Sequence, residues 1–339
     1  MARELARYAA ANARARALLG RLLGRESLDT LAAYPSAAAV VDALQRTPYA
    51  AVLAPGGRAD RALPERAAEV GRSLLRTLAD PERGFLHLYL LHHEIDNLKV
   101  LLRGIHAQMP RDDLRLHLTP LAGVGTLDLP ALTASLNIPD LIDRLGDTAY
   151  AAPLHHAVPR WRLAGSFALE VAVELDFYDR LWTATATLDR RDGSGARALL
   201  GTLFDVLNLS WISRYREACG LSPEETLNYT LRQGRWLTGA RRQDLAGLPG
   251  RPWDAILSRT PYGAIFTPGA SFSRLAADLT QLLAEAAQRT CAGYPFHIGV
   301  PLACLMAYDI EIRDLQRLIA AKSGGGTPVE MEHVATVRH

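Results

Sequence analysis

Two short motifs recur three times each along the chain, in step with one another, and this recurrence limits the fold more than any other feature. The first reads Leu-x-x-Thr-x-Tyr: Leu44, Thr47 and Tyr49; Leu145, Thr148 and Tyr150; Leu257, Thr260 and Tyr262. The second reads acid-x-x-(Asn/Asp)-Leu and is expected mid-way along a long helix: Glu94, Asn97 and Leu98; Asp205, Asn208 and Leu209; Glu311, Asp314 and Leu315. Asn12 reads as a fainter, N-terminal copy. Successive copies stand roughly a hundred residues apart, beyond the roughly 20–50 residues of a solenoid repeat. The pattern therefore describes three related units in one chain, at 1–105, 106–218 and 219–339, the last with a C-terminal tail. The length of 339 residues agrees, since a single core stops growing at about 250–300 residues.

Each unit is expected to be helical. Ala, Leu and Arg, which dominate every long segment, stand near the top of the helix-propensity scale. Leu5, Tyr8, Ala9, Asn12, Ala15, Leu18, Leu19, Leu22 and Leu23 fall on one helical stripe. The spacing predicts further long helices over 64–78, 82–107, 159–189, 196–218, 272–291 and 295–321. Short helices are expected at 28–34, 37–46, 222–233, 241–246 and 253–258, with more of them within 110–146. Pro64 and Pro159 are expected in the first turn of their helices, a position proline tolerates. The stretches 55–60 and 190–195 read as turns or linkers by their Gly and Pro content or charge, and glycines 324–326 end the regular structure. No strand-like alternation of useful length occurs, so the fold class is all-α.

In the second motif the acid and the Asn or Asp three residues later share a helix face. The Leu that follows, with Leu101 and Leu102, Ile212, or Leu318 and Ile319, faces a core. A buried Asn needs partners and so fixes the register of a neighbouring segment. The motif is expected to be a packing node between helices.

The sequence carries no motif of catalytic or ligand-binding chemistry. A net charge of +2 is too small for a nucleic-acid footprint, and Trp161, Trp182, Trp211, Trp236 and Trp253 are scattered rather than grouped for base stacking. Cys219, Cys291 and Cys304 form no CxxC pair and imply neither disulfides nor zinc. The first 25 residues carry charges throughout, without the apolar core of a signal peptide, and the most apolar stretch, 298–308, is about half of a bilayer span. No phosphate loop exists: the run from Gly20 to Arg25 lacks the spacing and the lysine. The cluster His87, His92, His93, Glu94 and Asp96 lacks the His-Glu-x-x-His order, and reads as a half-exposed helix flank; His155 and His156 read as a solvated helix approach. No catalytic residue, cofactor site or metal site is expected.

The run from Leu91 to Arg103, the run from Pro301 to Leu315 and the opening helix from Tyr8 to Leu23 together resemble the family of the V-type ATPase/ATP synthase C subunit, known as the d subunit in eukaryotes. Two positions depart from the family pattern: Asp314 stands where Asn is frequent, and Ser210 where Lys or Arg is usual. The resemblance implies three similar helical domains around a pseudo-threefold axis, forming a funnel. It implies a non-catalytic rotor connector, without cofactor, that seats the central-shaft subunits and rests on the proteolipid ring of the membrane sector. Such a protein lies at the cytoplasmic face of the membrane, peripheral to it, and couples ATP synthesis or hydrolysis to proton or other ion transport. Arg144, Arg241, Arg242 and Arg259, in loops and short helices, are the candidates for lining the shaft socket. Two readings outside this family are a soluble helical scaffold or adaptor and a helical metalloenzyme centred near His92.

Overall fold

The computed structural model describes residues 2–53, 59–121, 123–217, 220–247, 253–266 and 272–324. Residues 55–58 of the expected linker, Cys219, and the tail from 325 onward lie outside them, and the linker's last two residues, 59 and 60, belong to a helix instead. The chain is 74% helix, without a strand among the described residues. The helices are α1 (Ala2–Leu19), α2 (Arg25–Ala32), α3 (Ala37–Leu44), α4 (Ala59–Leu75), α5 (Glu82–Leu90), α6 (His92–His106), α7 (Arg111–Leu116), α8 (Leu129–Thr133) and α9 (Ile138–Leu145). They continue as α10 (Ala151–Ala164), α11 (Ser166–Ala184), α12 (Arg190–Glu217), α13 (Pro223–Asn228), α14 (Ala240–Gly247), α15 (Trp253–Leu257), α16 (Phe272–Ala292) and α17 (Gly299–Ser323).

The apolar stretch near residue 300 lies at the beginning of α17, whose flanks are covered by α1, α4, α12 and α16. Val300, Leu302, Ala303, Cys304, Leu305 and Met306 are all buried. The run is therefore protein core, and no helix among the described residues is long and apolar enough to cross a membrane. A second, smaller core lies further along α17. There Ile312, Leu315 and Leu318 pack with Leu28, Leu31, Val40, Leu44, Tyr49 and Leu63 from the N-terminal quarter of the chain.

Several boundaries differ from the sequence expectation, each for a local reason. The helix expected over 82–107 is broken at Leu91 into α5 and α6, and His92 Nδ1, 2.8 Å from the Tyr89 carbonyl oxygen, spans the break. Glu94 is consequently in the first turn of α6, not mid-helix. The rod expected over 159–189 is two helices, because Gly165 takes φ +70°, a left-handed conformation that ends α10. Pro159 and Pro64 lie inside α10 and α4 rather than opening them. In α4 the residues added upstream bury Ala59 and Leu63 in the second core, which offsets the backbone bond a mid-helix proline forfeits. Residues 190–195 are the first turns of α12 and not a turn. Asp189 caps them by accepting from the backbone N–H groups of Arg191 and Asp192, at 3.1 and 3.0 Å. Gly193 is required there: a Cβ would stand 2.7 Å from the Thr185 carbonyl oxygen.

Candidate functional site: three tyrosine–carboxylate locks

The two repeated motifs meet. The acid of each second motif accepts a hydrogen bond from the tyrosine of a first motif: Tyr150 Oη to Glu94 at 2.7 Å, Tyr262 Oη to Asp205 at 3.0 Å, and Tyr49 Oη to Glu311 at 2.7 Å. All six side chains are buried. The tyrosine is brought in by its own motif. Leu44, Leu145 and Leu257 anchor the end of a short helix in the core, and the backbone N–H of Thr47, Thr148 and Thr260 bonds back to the carbonyl of that leucine. In the first and third copies the threonine hydroxyl also donates to the same carbonyl and accepts from the tyrosine N–H.

The offsets repeat closely. Tyr150 lies 56 residues beyond Glu94, and Tyr262 lies 57 beyond Asp205. Asn97 pairs both its amide atoms with the backbone of Thr119, 22 residues on, as Asn208 does with Leu231, 23 residues on, at 2.8–3.0 Å. Each Asn thus acts as a substitute peptide group, holding one residue of the following loop by donor and acceptor together. Asn12, expected to be a faint copy, instead accepts from Arg16 within its own helix and holds no other segment.

The third lock closes in the opposite direction. No short-helix group follows α17 among the described residues, and Glu311 takes its tyrosine from position 49, 262 residues earlier. The boundaries at 105/106 and 218/219 each fall at the end of a motif helix. They part that helix from the short helices that its carboxylate holds. The helices carrying Glu94 and Asp205 are each locked to the short-helix group that follows in the chain, and α17 is locked to the group that ends at Tyr49.

The three carboxylates differ in how they are solvated. Glu94 accepts from the backbone N–H groups of Thr126 and Leu127 and from the Thr126 hydroxyl, besides Tyr150. Asp205 accepts from the N–H groups of Arg235, Trp236 and Leu237 at 2.8–3.1 Å, like an anion in a backbone nest. Burial still pushes its carboxyl up to about 6. Glu311 accepts from Tyr49 through Oε1, while its buried Oε2 has no hydrogen-bond partner; burial pushes it further, to about 7, with the neighbouring Asp314 adding to the rise. The tyrosine hydroxyls are driven above their ordinary range, first by burial and then by the facing carboxylates, so each remains a proton donor.

Leu98, Leu209 and Leu315 are wholly buried beside the locks. Asp314, also buried, accepts from Arg317 at 3.3 Å, where the other two copies have an asparagine reaching across to a loop. Of the four arginines, Arg144 and Arg259 are exposed, and Arg144 pairs with Asp140 at 2.9 Å. Arg241 and Arg242 donate to the carbonyls of Trp236 and Leu231, bracing the loop that holds Asp205. The structure does not bring the four together with the locks as one cluster of contacts.

The histidine-rich stretch is not a half-exposed flank. His93 is buried and His92 is largely so, because Asp309 of α17 stands against both. Sequence reasoning missed Asp309, as it missed that the three tyrosines are the partners of the three acids. The signal for the tyrosines was present: both motifs keep step through all three copies. Asp309 has no such signal.

A family model described as ATP synthase (C/AC39) subunit matches residues 11–331. The C subunit of the A-type ATP synthase of Methanobrevibacter smithii is 24% identical over 332 residues, covering 95% of this chain and 85% of that protein. The protein of the same name from Methanocaldococcus jannaschii is 22% identical over 346 residues, covering 97% and 86%.

Proposed function

Because the chain belongs to the ATP synthase (C/AC39) subunit family, we propose that it is the non-catalytic connector of an A/V-type rotary ATP synthase or ATPase. In this reading it seats the central-shaft subunits on one side and rests on the proteolipid ring on the other, at the cytoplasmic face of the membrane. Rotation is then passed between ATP turnover and ion transport without chemistry on this chain. The three units, 1–105, 106–218 and 219–339, would surround a pseudo-threefold axis as a funnel. Arg144 and Arg259, being exposed, are the better placed of the four arginines to meet the shaft; Arg241 and Arg242 act first on their own loop.

The observation that carries the mechanical part of the proposal is the circular order of the locks. A connector that transmits torque needs neighbouring units that cannot shear past one another. Three buried tyrosine–carboxyl hydrogen bonds, one across each junction, resist shear because any displacement strands polar groups unpaired in an apolar core. Close-packed helices on both sides supply the stiffness.

The test is recovery of the tagged chain from detergent-solubilised membranes of its source, with partners identified by mass spectrometry. Shaft subunits and proteolipid are expected together. Absence of both from a preparation in which the complex is otherwise intact refutes the connector role. The charge reversals Arg144→Glu and Arg259→Glu are expected to weaken shaft capture while leaving the fold intact; unchanged capture removes those residues from the socket.

A further inference from the structure

The one cluster of metal-ligating side chains among the described residues joins the first third of the chain to its last helix. His92 and His93 open α6, and Asp309 lies on α17, more than two hundred residues away. His92 Nε2 stands 3.5 Å from Asp309 Oδ2, and His93 Nε2 stands 3.2 Å from Oδ1. All three ligand atoms lie within 4.8 Å of one another. A cavity of about 140 Å³ adjoins them, with Asp96, Arg313 and Gln316 among its lining residues.

The hydrogen bonding around this cluster leaves it short of positive charge at its centre. His92 Nδ1 lies 2.8 Å from the Tyr89 carbonyl oxygen, which can only accept, so the proton of a neutral His92 is on Nδ1. Its Nε2 then presents a lone pair toward a carboxylate oxygen. Asp309 Oδ2 already receives the Tyr89 hydroxyl at 2.6 Å. His93 is buried, and its Nε2 makes no hydrogen bond of normal geometry although it points at Oδ1. Nε2 of a neutral His92 and Oδ2 of Asp309 are thus two acceptors facing one another inside the protein, and a proton or a metal ion must stand between them.

We propose that His92, His93 and Asp309 form a binding site for a zinc-class divalent transition metal that ties α6 to α17. Two imidazoles and a carboxylate are the ligand types such ions take, with the fourth position open for water or exchange. Ligands about 2.0–2.2 Å from a tetrahedral ion stand roughly 3.3–3.5 Å apart; the two nitrogen–oxygen contacts are of that size but fall on different carboxylate oxygens, so binding through one oxygen calls for a small turn of the carboxylate. Two of the three ligands are also held from behind: the Tyr89 carbonyl fixes the His92 tautomer, and the Tyr89 hydroxyl holds the carboxylate. Asp96 and Arg313, both exposed at the cavity mouth, oppose one another in charge, so the site is not closed to a cation. The other His-His pair of the chain, His155 and His156, is exposed on α10 and serves as a control. The proposal is independent of the rotor reading.

The experiment is titration of the full chain, first stripped with a chelator, with cobalt(II) alone, followed by visible absorption and by zinc displacement. One equivalent of cobalt is expected to develop the strong absorption of a low-coordinate site, and one equivalent of zinc to abolish it. Asp309→Asn and His93→Gln are each expected to weaken binding by on the order of 10- to 100-fold or more. The double variant His155→Ala/His156→Ala is expected to bind as the original does. Far-UV circular dichroism accompanies each titration, and His92→Gln, at the edge of the cavity, replaces any variant that loses its helical signal. Absence of stoichiometric cobalt binding by the original chain overturns the proposal and assigns the central charge to a proton. Binding that survives in the His92, His93 and Asp309 variants, or that is lost with His155 and His156, overturns it equally.

Discussion

Tyr49→Phe tests the lock that joins the two ends of the chain. The substitution deletes one hydroxyl, leaves the ring in the second core and creates no cavity larger than an oxygen atom. Hydrogen bonds to charged groups contribute about 1.5–3 kcal/mol, and neutral ones about 1 kcal/mol. Glu311 has no hydrogen bond of normal geometry besides that of Tyr49, whereas Asp205 in Tyr262→Phe keeps three backbone N–H groups. The cost at pH 8 is therefore expected near the upper end, about 2–3 kcal/mol for Tyr49→Phe, and about 1.5 kcal/mol for Tyr262→Phe. The cost should also depend on pH. Burial holds the Glu311 carboxyl at about 7, above its ordinary value of 4.5, so at pH 5.5 it is protonated in both proteins and the lost bond is a neutral one. Above pH 7 the original carboxyl ionises against a Tyr49 donor that the variant lacks. The penalty of Tyr49→Phe should thus rise from about 1 kcal/mol at pH 5.5 to the full value at pH 8. Urea unfolding at both pH values measures it, and hydrogen exchange should place the loosening in α2 and α3 rather than in α13–α15. Equal penalties at the two pH values, or protection lost evenly across the chain, would refute the reasoning.

Glu311→Gln should flatten the stability profile. A carboxyl raised from 4.5 to about 7 favours the folded state below 4.5 and loses that contribution as pH rises through 7, up to about 3 kcal/mol. Urea midpoints from pH 4.5 to 8 that fall as steeply in the variant as in the original would count against it. Asn208→Asp should cost about 1–3 kcal/mol in thermal or urea unfolding, because the Leu231 carbonyl loses the amide donor that holds it. Leu98→Asp places an unpaired charge where no solvent reaches and should cost several kcal/mol; a near-native melting temperature would show that α6 does not face the core there. Gly193→Ala drives a methyl into the Thr185 carbonyl and should cost about 1–3 kcal/mol, read by the same melts.

The helical class was legible because Ala-, Leu- and Arg-rich segments with a 3.6-residue stripe leave no competing local structure. The breaks were harder. Leu91 and Gly165 interrupt helices whose apolar periodicity runs on through them, and periodicity is blind to a left-handed glycine inside an otherwise helical run. Residues 190–195 look like a charged, glycine-containing turn until Asp189 is seen to cap them and Asp192 to accept from the buried Tyr8 hydroxyl, 184 residues away. The repeats themselves were legible as two separate markers. Their pairing showed only in their common step through three copies, since a hydrogen bond between residues 56 or 262 positions apart leaves no trace within either motif taken alone. The His92–His93–Asp309 cluster failed for the same reason: a His-His dipeptide is uninformative until the chain fold supplies the acid.

The unequal surroundings of the three acids follow from the circular order of the locks. Glu94 and Asp205 are each met by a short-helix group that follows directly in the chain, so one continuous loop delivers the tyrosine and the several donors together. Glu311 is met by a group at the far end of the chain, which delivers Tyr49 and leaves Glu311 Oε2 without a hydrogen-bond partner. In the same unit the register-holding asparagine is replaced by Asp314, which turns to Arg317 on its own helix and adds negative charge beside Glu311. The lock between Tyr49 and Glu311 is thus the least solvated of the three, its carboxyl is pushed higher than that of Asp205, and the apolar packing around it forms a core separate from the main one. Where load or pH loosens the locks, the first opening is expected there: deprotonation of Glu311 weakens this contact while the backbone nest around Asp205 still holds its own. Crosslinking α3 to α17 across that junction should therefore suppress the pH dependence of unfolding, and an equivalent crosslink beside Asp205 should leave the step near pH 7 in place.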